Sequence, residues 1–120
     1  MPEEATRAGG NMANKGKAIV VLVTCKSPAE ARRIVRAVVT RRLAACGNVI
    51  AAPVTSIYRW KGRVVRARET LLILKSTSGA FPGLEKEIRR LHSYEVPEIV
   101  ALPIFSGSKA YLAWIRENIR

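Results

Sequence analysis

The sequence predicts an α+β fold in which one antiparallel sheet carries helices on a single face. Its 120 residues suffice for one continuous hydrophobic core but not for two. Runs rich in Val, Ile and Leu alternate along the chain with stretches whose apolar residues recur at helical spacing. The segments follow the order strand, helix, strand, strand, helix, strand and helix, and this order indicates the fold class.

The chain is predicted to start with a tail and a central strand. Residues 1–16 carry scattered charges without the apolar run of a secretory signal, so we expect a disordered tail before a single domain over 17–120. Residues 18–24 (AIVVLVT) form a continuous apolar run, which is typical of a strand buried on both faces. This strand should therefore lie in the middle of the sheet.

The first helix is predicted from a start signal and an apolar stripe. Ser27 can cap the first turn, Pro28 is tolerated there, and Glu30 completes a capping box. Helical spacing then links a set of apolar residues: Ala31, Ile34, Val35, Val38 and Val39. Because Gly47 is interpreted as the stop signal, the helix is expected to end near Cys46 and Gly47.

A long hairpin is predicted next. One strand over 49–60 should bend at Pro53, which cannot donate to a ladder, and Lys61 with Gly62 should make a tight reversal. The return strand over 63–75 is polar at first and apolar later, so only its second half is expected to enter the core. The hairpin should then project beyond the domain, where a partner chain would cover its exposed edges.

The remaining segments complete the pattern. A second helix is predicted over about 79–92, a last strand over 98–104 with Pro103 near its end, and a closing helix around 111–119. The full succession is the βαββαβ order of a ferredoxin-like sandwich, extended by one C-terminal helix.

Charge and apolar runs limit the classes of partner. The formal net charge is +12, from 21 lysines and arginines against 9 acidic residues, which invites a nucleic-acid interpretation. The basic residues are spread over the helices, the hairpin and both chain ends instead of forming a stripe beside stacking aromatics. A solvated basic surface is therefore favoured, and a nucleic-acid-binding module is the weaker alternative. No apolar run approaches the roughly 18 residues of a membrane span, so no membrane partner is predicted.

Few groups in this chain could act in catalysis. The chain has one histidine, no aspartate, and neither a glycine-rich phosphate loop nor a Cys-x-x-Cys pair. No enzymatic activity and no organic cofactor are therefore predicted. The two cysteines, Cys25 and Cys46, lie in segments of different periodicity, and we expect reduced thiols in the cytoplasm.

The loop over 92–98 offers the densest set of groups that could bind a ligand. It holds an imidazole, a phenol and two carboxylates, and imidazole with carboxylate suits divalent first-row ions. A thiolate from Cys25 would add affinity for copper. His92 can equally be a helix cap or a packing residue, and Glu95 with Glu98 can equally neutralise nearby arginines, so both interpretations stay open.

Five motifs resemble the CutA family, in the same order and over residues 18–120. They are residues 42–48 (RLAACGN), 56–62 (SIYRWKG), 74–75 (LK) after Glu69, 92–99 (HSYEVPEI) and 111–115 (YLAWI). The resemblance implies a ferredoxin-like subunit with PII-like topology, assembled through its hairpins into a cytoplasmic homotrimer. It also implies a role in tolerance of divalent cations, with copper binding reported for some members and no catalytic activity assigned.

The resemblance also assigns residues. The metal role falls on His92, with Cys25 as its partner and Glu98 as a third ligand, although the family's cysteine position corresponds to either Thr24 or Cys25. Because consecutive strand residues face opposite sides, this choice decides whether a thiol reaches the site. The clefts between subunits would be lined by a further set: Tyr58, Trp60, Lys75, Tyr94 and Glu95. Structural roles are assigned to four residues: Cys46, Asn48, Pro97 and Trp114.

Three functions follow from these observations. The first is a homotrimer that binds a divalent cation or a small ligand between its subunits. The second is a PII-like trimeric scaffold that presents its surface to another protein. The third and least favoured is the basic nucleic-acid-binding module.

Overall fold

The computed structural model describes residues 15–120, which form one five-stranded sheet and three helices. The predicted α+β class and the order of elements are confirmed, with the second strand divided in two. The tail prediction for residues 1–14 lies outside the described residues. In chain order the elements are β1 (Ala18–Cys25), α1 (Pro28–Thr40), β2 (Cys46–Val49), β3 (Val54–Trp60), β4 (Arg63–Thr77), α2 (Phe81–Leu91), β5 (Ile99–Pro103) and α3 (Lys109–Glu117).

The sheet is antiparallel, with strand order β2-β4-β1-β5 and with β3 paired to β4 farther along. β1 is central, as predicted, and its Leu22 pairs with Ile73 of β4 and with Val100 of β5. β4 is 15 residues long: its second half pairs with β1 and β2, and its first half forms the hairpin with β3. One long strand therefore joins the domain to the hairpin.

The two larger helices, α1 and α2, cover the same face of the sheet. Alternate residues of β1 and β4 point to this face and pack beneath the helices, and they are fully buried: Val21, Val23, Leu72 and Leu74. The intervening residues, such as Val20 and Leu22, are only partly buried. β1 is therefore buried on one face and not on both as predicted, because both of these helices lie on one side. A second cluster, beneath α3, contains Ala18, Ala45, Ile115 and Ile119.

α1 ends earlier than predicted. Arg42 lies just beyond the helix in the left-handed region, with φ of 59°. Its N–H donates to the carbonyl of Val39 at 3.0 Å, and the Leu43 N–H donates to that of Val38 at 2.9 Å, which is a Schellman turn. The predicted end near Cys46 is wrong because an arginine occupies the position where glycine gives the usual signal.

Gly47 lies in β2 and not at a helix end. A Cβ atom here would lie 2.7 Å from a Leu74 methyl carbon and 3.0 Å from two methyl carbons of Val35. The glycine therefore allows β2 to approach the helix layer closely, which is a packing requirement. The single strand predicted over 49–60 is two strands, β2 and β3, separated by a segment that contains Pro53.

The hairpin of β3 and β4 projects from the domain. Lys61 and Gly62 form its two-residue turn, with φ values of 54° and 80° as such turns require. The longest dimension is 50 Å, against 26 and 25 Å for the other two. Ile57 and Val64 are 68% and 65% exposed, so the hairpin presents apolar surface to its surroundings.

Lys15 and Gly16 contact α3, although the predicted tail runs to residue 16. The Lys15 Nζ donates to the carbonyl of Arg116 at 2.6 Å, and the Arg116 Nε donates to the carbonyl of Gly16 at 3.4 Å. The folded part of the chain therefore includes both residues. Within residues 15–120, no helix is long and apolar enough to cross a membrane.

We expect Gly47→Ala to destabilise the fold and Gly83→Ala to preserve or raise its stability. The new methyl group at position 47 would clash with Leu74 and Val35, and overpacking of this kind costs about 1–3 kcal/mol. Gly83 lies in α2 with its Cβ position 3.3 Å from one Leu43 methyl carbon, so helix propensity favours alanine by up to about 1 kcal/mol. The thermal unfolding midpoints of the two variants and the parent, measured at one protein concentration, test both expectations. Equal midpoints for the two variants would contradict the packing role of Gly47.

Candidate functional site

A cleft of about 710 Å³ lies where β1 ends, between β3 of the hairpin and the loop after α2. Four residues predicted for clefts between subunits lie together here: Tyr58, Trp60, Tyr94 and Glu95. Lys75 does not line this cleft, and its ammonium group instead donates to the side-chain oxygen of Asn48. Glu98, predicted as a metal ligand, also lines the cleft. The remaining lining residues were not predicted to lie together: Thr24, Ser56, Ile57, Glu69, Ser93 and Val96.

Glu69 and Tyr94 form one wall of the cleft. The Tyr94 hydroxyl donates to Glu69 Oε2 at 2.7 Å, and Glu69 is only 6% exposed. Burial, followed by the hydrogen bond and charge of Glu69, raises the pKa of Tyr94 well above its ordinary value. The phenol therefore remains a donor at neutral pH. Glu69 is among the residues of the sequence motifs. Its position in the cleft wall, however, depends on the 92–98 loop folding back over β4.

His92 anchors that loop. Its Nε2 lies 2.8 Å from the Thr24 carbonyl oxygen, and the Tyr94 N–H donates to its Nδ1 at 3.1 Å. Because Nδ1 accepts, Nε2 carries the proton and donates to the carbonyl, which corresponds to a neutral ring. Both ring nitrogens are therefore engaged in hydrogen bonds. This agrees with the packing role, which the sequence left open as an alternative to metal binding.

Glu30 ties the start of α1 to the same loop. Its carboxylate is 1% exposed and accepts from the Ser93 N–H at 2.8 Å and from the Lys26 N–H at 3.2 Å. Burial opposes ionisation, but the hydrogen bonds from Ser93 and Lys26 outweigh it and lower the pKa of the Glu30 carboxyl. Glu30 thus anchors the loop. Of the predicted capping box, the Glu30 N–H does donate to Ser27 Oγ at 3.2 Å, but the carboxylate accepts from Lys26 N–H and not from Ser27 N–H.

Cys25 and Thr24 face opposite sides of β1. Cys25 is fully buried on the helix-covered face, and Thr24 lines the cleft. Burial, with smaller contributions from Glu30 and Glu69, raises the pKa of the Cys25 thiol to about 12. The thiol is therefore protonated at neutral pH.

Cys25, Glu30 and His92 each bring one ligand atom within 4.8 Å of the other two. Thiolate, carboxylate and imidazole suit a divalent first-row ion by type. An ion held here would have to displace the Cys25 proton and the hydrogen bonds of the other two side chains. Glu98, the predicted third ligand, is exposed in the cleft and is not a member of this group.

The four residues with predicted structural roles lie outside the cleft. Cys46 is the first residue of β2, not a helix end, and its Sγ lies 3.7 Å from the Tyr111 hydroxyl oxygen. Trp114 stacks on Tyr111 with ring centroids 5.5 Å apart. Asn48 accepts from the Lys75 ammonium group, and Pro97 is half-buried just before β5.

Comparison with known proteins finds consistent similarity along most of the chain. The family described as CutA1 divalent ion tolerance protein matches residues 19–118. The chain is 54% identical over 99 residues to the divalent-cation tolerance protein CutA of Thermus thermophilus, covering 82% of this chain and 95% of that protein. It is 40% identical over 116 residues to mouse protein CutA, covering 97% of this chain but only 65% of the mouse protein. The solved structure of the Cut A1 protein from Thermus thermophilus superposes with a TM-score of 0.83 at 51% identity, over 86% of this chain and 99% of that one.

We expect Glu30→Gln to lower stability at neutral pH by about 1–3 kcal/mol, since the charged acceptor for the Lys26 and Ser93 N–H groups is lost. The folded-state pKa of Glu30 is lowered, so its contribution is present above the ordinary carboxyl pKa and is lost as the pH falls below it. Thermal unfolding between pH 7 and 3 should therefore show a shallower pH dependence in Glu30→Gln than in the parent chain.

The control is Glu85→Gln, which neutralises a partly exposed glutamate of α2. This control should keep the parent's pH dependence. Identical slopes for Glu30→Gln and the parent would refute the anchoring role of the carboxylate.

Proposed function

The chain belongs to the CutA1 divalent ion tolerance family, and on that premise we propose that it is a non-enzymatic homotrimer acting in divalent-cation tolerance in the cytoplasm. Each cleft would lie at a boundary between subunits and hold a metal ion or a small ligand. The observation that carries the proposal is an open, apolar sheet face that adjoins the cleft.

The open face is the side of the sheet opposite α1 and α2. Six partly or largely exposed apolar residues form it: Val20, Leu22, Leu71, Ile73, Val100 and Leu102. Val100 and Leu102 are 45% and 47% exposed. An apolar surface of this kind is stabilised when another chain covers it.

The sheet edges allow copies to assemble into a ring. β5 forms one edge, and β2 with β3 forms the other, so pairing of the β5 edge of one copy with the opposite edge of the next copy would join two different surfaces. Contacts between different surfaces generate closed rings when the rotation permits. A trimer, as the family resemblance implies, is the small ring that we propose. Since Thr24 and Glu69 belong to both the open face and the cleft, assembly would bring a neighbouring chain to the cleft.

The metal role is proposed for Cys25, Glu30 and His92, with copper or another divalent cation as the ligand. Their donor types and mutual distances support this choice. The described cysteines, Cys25 and Cys46, are both free thiols, which agrees with a reducing cytoplasm. The Thermus thermophilus relative carries a tolerance name, and neither it nor the mouse relative carries an enzyme name, which supports a non-catalytic role.

A PII-like scaffold is the second candidate, favoured by one exposed aromatic residue. Phe105 follows β5 and is completely exposed, an uncommon position for a large apolar side chain. Such a residue could anchor another protein. The nucleic-acid-binding alternative stays a prediction, with exposed arginines on α1 as its motive.

We expect Leu102→Glu to convert the trimer to monomers while each subunit keeps its fold. The side chain is 47% exposed in one chain, so a charge is tolerated there until a neighbour covers it. Sedimentation velocity measures the assembly, and far-ultraviolet circular dichroism checks the fold. Arg33→Glu, on the exposed side of α1, is the control and should remain trimeric. A parent chain that is monomeric and folded in dilute buffer would refute the assembly.

Titration of the full chain with Cu(II) by calorimetry tests the metal role. We expect His92→Ala and Cys25→Ser each to weaken binding about tenfold or more, and Glu85→Gln to leave it unchanged. Affinity in the parent should rise with pH, because the Cys25 thiol must lose its proton to bind the ion. If both variants bind as tightly as the parent, the ligand assignment is wrong.

A further inference from the structure

We propose that the cleft binds an organic cation, namely an amidinium, guanidinium or ammonium group carried on a flat or apolar body. Glu69 would be the charge partner, and the walls would be aromatic: Tyr58, Trp60 and Tyr94. This inference rests on the proposed function only in taking the cleft as a ligand site.

The charge of the cleft lining is opposite to that of the chain. The chain has a formal net charge of +12 and 21 lysines and arginines. Among residues 15–120 no lysine or arginine lines the cleft, whereas three glutamates do: Glu69, Glu95 and Glu98. A concave surface with one sign of charge concentrates ligands of the opposite sign. The cleft therefore selects cations on a protein whose remaining surface attracts anions.

Glu69 has no cation beside it in the described part of the chain. The ion pairs there are both made by Glu87, with Arg41 and Arg90. The side-chain donor to Glu69 is the neutral Tyr94 hydroxyl, which takes Oε2 and leaves Oε1 without a donor among residues 15–120. Glu69 is only 6% exposed, and carboxylates buried to this extent are usually paired with a group of opposite charge. A bound organic cation would supply the missing partner.

The geometry favours an organic cation over a bare metal ion in the cleft. Within residues 15–120, the one group of three ligand atoms close enough to share an ion is that of Cys25, Glu30 and His92. The three cleft glutamates therefore do not converge on one point. The cleft volume of about 710 Å³ lies within the roughly 300–1,000 Å³ of small-molecule sites, far more than an ion requires.

The ring of Trp60 already receives a cation from its own chain. The Lys61 Nζ lies 5.9 Å from the ring centroid, within the range of a cation–π contact. Trp60 and Tyr58 are 41% and 42% exposed, so their rings remain accessible to a ligand. Removing the Lys61 ammonium group should leave the binding of a cation unchanged or strengthen it, because one competitor for the ring is lost. The same change would weaken the binding of an anion.

The test compares three ligands of nearly the same shape. Benzamidine is a cation, benzamide is neutral and benzoate is an anion, and each is titrated into the full chain at low ionic strength by calorimetry. We expect benzamidine to bind about tenfold or more tightly than benzamide, with no binding of benzoate. Equal affinity for benzamidine and benzamide, or a preference for benzoate, would overturn the inference.

Four variants assign the binding to residues. Glu69→Gln keeps an acceptor for the Tyr94 hydroxyl but removes the charge, so benzamidine affinity should fall to that of benzamide. Trp60→Leu, on the exposed hairpin, should also weaken benzamidine binding, and it provides a second measurement if Glu69→Gln does not fold. Glu85→Gln is the matched control and should bind like the parent, and Lys61→Ala should bind at least as tightly. Unchanged benzamidine affinity in a folded Glu69→Gln or in Trp60→Leu would overturn the assignment.

Failure of this inference can be told apart from failure of the proposed function. A trimer that binds Cu(II) but shows no preference for benzamidine would overturn only the organic-cation ligand. A monomer that keeps the preference for benzamidine would overturn only the assembly.

Discussion

The pairing of β1 with β4 positions the rest of the molecule. β1 ends at Cys25, which pairs with Thr70, and the adjacent residue of β4, Glu69, pairs with Val54 of β3 instead. β4 therefore leaves the domain sheet at Glu69, and the cleft opens at this junction. The same register sends alternate residues to the helix-covered face and to the open face. Core, cleft and proposed subunit interface all follow from this one register.

The loop over 92–98 is held by groups whose chemistry also suits a metal ion. The Glu30 carboxylate and the His92 ring together receive the Ser93 and Tyr94 amides, and the ring donates to the Thr24 carbonyl. These bonds hold three lining residues of the cleft in place: Tyr94, Glu95 and Glu98. Structural anchoring and the proposed metal role therefore depend on the same atoms. An ion that took those atoms would release the loop from its anchors.

Charge is divided between the outside of the fold and the cleft. The exposed side of α1 carries three arginines, Arg32, Arg33 and Arg36, while Arg41 and Arg90 both pair with Glu87. Within the described part of the chain, no basic side chain lines the cleft. Net charge alone suggests an anionic partner, whereas the concave surface suggests a cationic one. The positions of the glutamates therefore indicate the charge of a ligand better than the net charge of the chain does.

The sequence by itself determined the elements whose signals are local: the order of strands and helices, and the Lys61 and Gly62 turn. Periodicity and turn chemistry need only neighbouring residues, so the α+β class could be predicted from them, whereas the cleft residues Tyr58, Trp60, Tyr94 and Glu95 were assigned by the family resemblance. The end of α1 was misplaced for a local reason, because its Schellman turn has Arg42 and not glycine as the left-handed residue. Tertiary structure alone decided the packing role of Gly47 and the meeting of Glu30 with Cys25 and His92. These depend on contacts between segments far apart in the chain, and no local spacing encodes such distances.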